Sequence, residues 1–175
     1  MSQWPALTIC NQITRRSAFA LALGALVLPR PGRGQTKPIT LAIPDLAASF
    51  ADSGDIAHLS AARISDDLRG TGQFALLDSS ALTTASATGI VSSGLPRFEV
   101  WRAAGVAALV TGSIGPAGEK IKSEFHLWDI QIGQQLMGQQ YIARAGDWRQ
   151  IAHAMSGRIY EHLIGRKRDF GSDKN

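Results

Sequence analysis

The densest apolar stretch of the chain, Val106-Ala-Ala-Leu-Val-Thr-Gly-Ser113, shows almost no polar alternation. A run that is apolar on both faces belongs to a strand covered by helices on each side, so it predicts the central strand of a parallel or mixed sheet. Just before it, Pro96 to Ala104 reads as a short helix with Trp101 as its large anchor, and Gly105 stands where a helix C-cap is needed. Further upstream, Ile39 to Ile43 predicts a first strand, and Ala57, Ala61, Ile64 and Leu68 fall on one face of a helix that Asp52 or Ser53 would cap. Gly70-Thr-Gly72 closes that helix, Phe74 to Leu77 predicts a second strand, and the Ser-, Thr-, Ala- and Gly-rich stretch from Ser79 to Gly94 reads as a loop or mobile connector.

Beyond the central run the period changes. A turn is predicted at Gly115-Pro-Ala-Gly118, after which Ile121, Phe125 and Leu127 alternate with Lys120, Lys122, Glu124 and His126, the mark of a half-exposed antiparallel strand. Gly133 offers a left-handed turn into Leu136 to Ala143, so these two strands form a hairpin. The last helix carries an apolar stripe of Trp148, Ile151, Ala152, Met155, Ile159 and Leu163. Asp147 is expected to cap it, Gln150 to complete a capping box, and Gly165 to end it. Gly157, in mid-helix, costs about 1 kcal/mol relative to alanine and hints at a close neighbour. The predicted order is β, α, β, α, β, β, β, α.

At the N-terminus the apolar stretch has another meaning. Thr14-Arg15-Arg16 precedes Ser17 to Leu28, followed by Pro29 and the small-residue run ending Gly32-Arg-Gly34. Crossing a bilayer takes about 20 apolar residues, and this alanine-rich run is shorter, so residues 1–34 read as a signal peptide cut before Gln35. The paired arginines fit a twin-arginine signal, with the general secretory route as the alternative; either delivers the protein to the periplasm. The charge follows the same division. The formal net charge is +4, but four of the 18 Lys and Arg precede Gln35, which leaves 14 basic residues against 14 acidic. A neutral body lacks the electrostatic footprint of a nucleic-acid or anionic-lipid binder. Cys10, the single cysteine, lies upstream of the apolar core of the signal, so neither a disulfide nor a lipid anchor is expected after cleavage.

Candidate chemistry is sparse. Gly112-Ser-Ile-Gly115-Pro-Ala-Gly118 follows a buried strand, but its spacing is not that of a dinucleotide fingerprint, no lysine follows, and the next element is a strand. His153 and His162 are nine residues apart on one helix and point to opposite sides, so no metal site is expected; His58 and His126 read as surface histidines. Asp66 and Asp67 diverge likewise, and no nucleophile turn is visible. Trp128, Tyr141 and Trp148 beside Lys120 and Lys122 could stack bases, but the core reading of these aromatics is favoured. No catalytic residue, cofactor or metal is assigned.

Glu124-Phe-His-Leu-Trp-Asp129, Gly138-Gln-Gln-Tyr141, Trp148-Arg-Gln-Ile-Ala-His153 and Ile159-Tyr-Glu-His-Leu163 resemble the N-terminal domain of the TolB family. The likeness runs back through Trp101, Gly105, Leu109-Val-Thr-Gly112, Asp67-Leu68, Gly72-Gln-Phe74 and Lys37-Pro38 with Ala42-Ile-Pro-Asp45, covering about Lys37 to Gly165. The resemblance implies a three-layer α/β/α domain with a mixed five-stranded sheet, anticodon-binding-domain-like, at residues 35–165, with 166–175 as a polar tail. It also implies a periplasmic part of the Tol-Pal system, which serves outer-membrane integrity and envelope constriction, and binding rather than catalysis. In that family a segment before the first strand docks onto TolA and a C-terminal propeller binds the lipoprotein Pal. Here the leading segment is reduced to Gln35 to Lys37 and no propeller repeats follow Gly165. TolA binding is therefore expected to be weakened, Pal binding is not expected, and the chain reads as a truncated or stand-alone relative. Thr36 and Lys37, with Arg149, Arg158 and Glu161 on the last helix, are the candidate partner-binding residues of a monomer peripheral to membranes. The alternatives are an envelope-assembly or enzyme-activating accessory domain on the same scaffold, and an α/β enzyme.

Overall fold

Why one run of apolar residues becomes a doubly covered strand is visible in the pairing. β1 (Ile39–Ala42) lies parallel to both β3 (Phe74–Leu76) and β4 (Ala108–Ala117), and β5 (Lys120–Asp129) and β6 (Gln134–Ala143) follow antiparallel. The order β3-β1-β4-β5-β6 puts β4 in the middle, as its apolar pattern predicts. This is a computed structural model, and it describes residues 37–49, 53–78, 80–83, 85 and 95–171; the expected signal peptide, Thr36 and Asp52 lie outside them. A sixth strand, the two-residue β2 (Ala47–Ala48), pairs in parallel with Ser113 and Ile114 of β4, so the sheet is mixed and six-stranded rather than five-stranded.

Helices cover both faces, unequally. On one, α1 (Ser53–Arg69) and α3 (Trp148–Ile164) pack side by side and close the larger core. Ala57, Ala61, Ile64 and Leu68 of α1 and Ile151, Ala152, Met155 and Ile159 of α3 meet Val110, Ile114, Ile121, Phe125 and Leu127 of the sheet. On the other face the six-residue α2 (Phe98–Ala103) brings Trp101 onto Leu109, Trp128 and Ile130 in a smaller cluster. Trp128 is 7% exposed and donates its indole N–H to Thr111 Oγ1 at 2.8 Å, which satisfies two buried polar groups at once. This aromatic is core.

Local rules explain most boundaries. Gly105, Gly133 and Gly165 take positive φ at the ends of α2, β5 and α3, and Gly165 N–H closes α3 on the Glu161 carbonyl at 2.8 Å. β4 runs through the stretch predicted as a turn: Pro116 pairs with Ile121, and the reversal is confined to Gly118-Glu119. Proline is tolerated there because, among the described residues, the strand beyond Ile114 has a partner on one side only. β6 carries a bulge, since Leu127 pairs with Met137 but Trp128 with Gln135. The extra residue, Leu136, thereby reaches the larger core beside Met137.

Two capping expectations change. Asp147 makes no side-chain cap hydrogen bond to α3; it belongs to the 3-10 turn Ala145–Asp147, whose φ of −89° and ψ of 8° at Asp147 are not the extended values that aim a capping oxygen at the first turn. The capping box with Gln150 is accordingly not formed. Conversely, the stretch expected as a loop after Asp78 begins with a helical turn at residues 80–83. Asp78 starts it, accepting from Ala81 N–H at 2.9 Å and from Ser80 Oγ at 2.8 Å. Those two bonds, the Ala81 amide first, hold the Asp78 carboxyl below its ordinary range. A depressed folded pKa contributes stability above the unfolded carboxylate pKa and loses it as pH falls through the lower folded value. Acid titration followed by amide hydrogen exchange should therefore release the Ala81 and Leu82 amides while β4 stays protected; unchanged exchange at Ala81 down to full protonation would contradict the cap.

Candidate protein-interaction surface

The outward side of α3 is built by its own stripe. With Ile151, Ala152, Met155 and Ile159 buried, Arg149, Gln150, Arg158 and Glu161 turn away from the core. Arg149 lies with its guanidinium 4.5 Å from the Trp148 ring centroid. Trp148 is only half-buried, at the rim of the larger core, so it is less of an anchor than its place at the head of the stripe suggests.

Midway along the helix, His153 Nδ1 meets Asp67 Oδ2 of α1 at 2.8 Å, with side-chain exposures of 16% and 7%. Asp67 Oδ1 also faces Arg63 Nε at 3.5 Å. The pair joins the two helices of the larger face, whereas the neighbouring Asp66 points out and pairs with Arg69 at 2.7 Å. Eighty-six residues separate His153 from Asp67. Nothing in either local pattern announces the contact.

Past His153 an open groove of about 550 Å³ runs between α3 and residues 167–171. Arg158 Nη1 lies 3.5 Å from Glu161 Oε2, and Lys167 Nζ lies 3.9 Å from Glu161 Oε1. Residues 166–171, within the expected polar tail, fold back along α3. Phe170 stacks edge-on against Tyr160, 6.1 Å between centroids, and Tyr160 in turn against Phe74 of β3 at 6.2 Å. Arg168 lies over both Tyr160 and Phe170, at 5.8 and 5.3 Å. Gly157 explains how the backbones approach: a Cβ there would stand 2.9 Å from the Arg168 carbonyl oxygen. The mid-helix glycine is the one sequence signal for this contact.

The candidate residues are thus only partly assembled. Arg158 and Glu161 share the groove; Arg149 sits nine residues earlier, about 13 Å along the axis at 1.5 Å per residue. Lys37 is exposed just ahead of β1, and Thr36 lies outside the described residues. On the exposed side of β5, Lys122 Nζ bonds Glu124 Oε1 at 2.9 Å, and that bond with its charge holds the Glu124 carboxyl below its ordinary range. Among the described residues no group of three or more His, Cys, Asp or Glu could hold a metal ion, and no helix is long and apolar enough to cross a membrane.

Paired helices on one face of a mixed sheet, a lesser helix on the other and a charged groove open to solvent define a small α/β domain. The chain belongs to the TolB amino-terminal domain family, whose pattern matches residues 32–136. Among solved structures it is similar to TolB from Acinetobacter baumannii, with a TM-score of 0.60 and 23% identity over 77% of this chain. It spans 30% of the length of that TolB. Weaker likenesses include the LpoB C-terminal domain from Salmonella enterica, at TM-score 0.45 and 14% identity over 61% of this chain and 82% of that one. Lipoprotein GNA1162 from Neisseria meningitidis is similar at TM-score 0.45 and 13% identity, over 72% of this chain and 98% of that one.

Proposed function

We propose that this chain is an exported protein-binding domain of the Tol-Pal type, which docks an envelope protein and so contributes to outer-membrane integrity and constriction at division. The observation that carries the reading is the groove on α3. It offers charges of both signs at Arg158, Glu161, Lys167 and Asp169 beside the Asp67–His153 pair, a surface suited to recognising a partner of mixed charge. Membership of the TolB amino-terminal family supports the Tol-Pal assignment. Thr14-Arg-Arg16 ahead of Ser17 to Leu28 supports delivery to the periplasm.

The partner surface comprises Arg158 and Glu161 in the groove and Arg149 at the head of α3, with Thr36 and Lys37 as a separate contact ahead of β1. Calorimetric titration of the purified protein with the C-terminal domain of TolA tests this. A micromolar or weaker Kd is expected, as for contacts smaller than the standard interface. Arg149→Glu with Arg158→Glu changes only outward groups, so the fold should persist while affinity falls about tenfold or more, ~1.4 kcal/mol. Lys37→Glu should weaken binding further. Unchanged affinity in the double variant would remove α3 from the interface, and absence of binding to both TolA and Pal would count against the Tol-Pal reading itself.

A further inference from the structure

We propose that β6 is a homodimerisation edge, on which a second copy of this chain adds its own β6 antiparallel about an axis through Gln140. The inference stands apart from the α3 surface and departs from the monomer expected from the sequence.

The two ends of the sheet are unlike. β3, at one end, offers three residues, whereas β6, at the other, offers ten and pairs only with β5 among the described residues. A free edge presents unpaired N–H and C=O groups that template another strand, and proteins usually defend it with lysine, proline or very short strands. Apart from the bulge at Leu136, β6 has none of these defences: Gln134-Gln-Leu-Met-Gly-Gln-Gln-Tyr-Ile-Ala143 contains no charge and no proline. The charges of this region sit one strand inward, at Lys120, Lys122 and Glu124. An incoming strand therefore meets neutral side chains and main-chain groups only.

The bulge at Leu136 fixes how much of the edge is regular. Beyond it β6 runs without interruption from Met137 to Ala143, seven residues centred on Gln140. Two copies related by a two-fold axis at that centre pair Gln140 with Gln140, Gln139 with Tyr141, Gly138 with Ile142 and Met137 with Ala143. Each pair is chemically matched. The two Gln140 amides can each donate and accept. Met137 and Ala143 both lie on the side of the larger core and extend its apolar rim together. Ile142, 54% exposed and among the most exposed large apolar side chains, comes to lie opposite Gly138, the one position of the strand without a side chain to oppose it. No like charges face each other anywhere in this register. A foreign strand would need the same neutral, alternating pattern, which the second copy supplies by symmetry.

A single strand pair is a small contact, so the dimer should be weak, with a Kd of ~10–100 µM. Sedimentation equilibrium of the purified protein across that range should show a reversible monomer–dimer equilibrium. Gln140 is exposed and lies opposite Glu124 of β5, so Gln140→Lys and Gln140→Glu should each keep the circular dichroism spectrum of the parent, with only Gln140→Glu melting slightly lower because of the like charge across the β5–β6 ladder. Each variant alone places like charges face to face at the axis and should be monomeric at concentrations where the parent dimerises. Mixed one to one, the two variants should dimerise again, because opposite charges then face each other. A parent that stays monomeric throughout the range overturns the proposal, as does a dimer that both variants preserve. Variants that dissociate singly but do not reassociate on mixing overturn the Gln140 register.

Discussion

Replacing Trp101 by alanine should destabilise the domain by ~3–5 kcal/mol, the usual cost of deleting a fully buried large aromatic. Against a total stability of about 5–15 kcal/mol this leaves little margin, and at roughly 4 °C per kcal/mol the melting point should fall by about 10–20 °C. Trp101 is 0% exposed at the centre of the smaller cluster, against Val106, Leu109, Trp128 and Ile130. The element that carries it cannot stand alone. α2 has six residues and no side-chain cap at Arg97, and helices that short do not form by themselves in water. Besides apolar packing, Arg102 Nε donates to the carbonyl of Ile130, just past β5, at 2.9 Å, and Phe98 meets the Trp128 ring edge-on at 6.1 Å. Losing the indole should therefore release α2 and open Leu109 and Trp128 to water. Trp148→Ala is the control. Half-buried at the rim, it should cost less than half as much, about 1–2 kcal/mol on the transfer scale. The sequence alone makes both tryptophans equal anchors; equal losses on thermal melting would restore that view and contradict the burial described above.

The difference between the two tryptophans shows where a pattern of apolar positions stops being informative. Periodicity reports which side of an element is buried. It therefore located β1, α1, the central β4, the β5–β6 hairpin and α3, and the faces of α1 and α3 fell where the spacing put them. It says nothing about elements too short to have a period. β2 is two alanines joined to Ser113 and Ile114, and the helical turn after Asp78 is one turn in a stretch whose composition suggests a loop. Nor does it choose partners across the chain. Asp67 meets His153 because α1 and α3 lie side by side on one face, a tertiary arrangement that neither local sequence states. The candidate site was legible to the same extent. Arg158 and Glu161, three residues apart on one helix, had to be neighbours, but the groove beside them depends on residues 167–171 returning over Gly157. A glycine in mid-helix could signal that something approaches; it could not say what.

Gly112→Ala should be a comparably damaging substitution, although it adds only one methyl group. Two effects oppose each other. Alanine in a strand is favoured over glycine by about 0.5–1 kcal/mol through backbone entropy, so at an open site the change would stabilise. Gly112 is not an open site. A Cβ there would stand 2.3 Å from the Glu124 carbonyl oxygen, 3.3 Å from its carbon and 3.2 Å from Leu46 Cδ2. The two Glu124 atoms are backbone of β5, in the middle of the β4–β5 ladder where Gly112 pairs with Phe125 and Ser113 with Glu124. Phe125 is fully buried, and Thr111 next to Gly112 holds the Trp128 indole, so neither strand can shift without disturbing both cores. Overpacking costs about 1–3 kcal/mol where side chains can yield, and more where they cannot. The clash with fixed backbone should outweigh the entropic gain, leaving a net loss of ~3 kcal/mol or more, read as a fall in melting point and lost amide protection at Ser113 and Phe125. Gly138→Ala separates crowding from any general intolerance of the hairpin. Its Cβ would meet Gln135 Nε2 at 2.8 Å, the far end of a flexible side chain that can swing aside, so its melting point should change little. If Gly112→Ala melts with the parent, β4 and β5 do not approach at Gly112 as closely as this register requires.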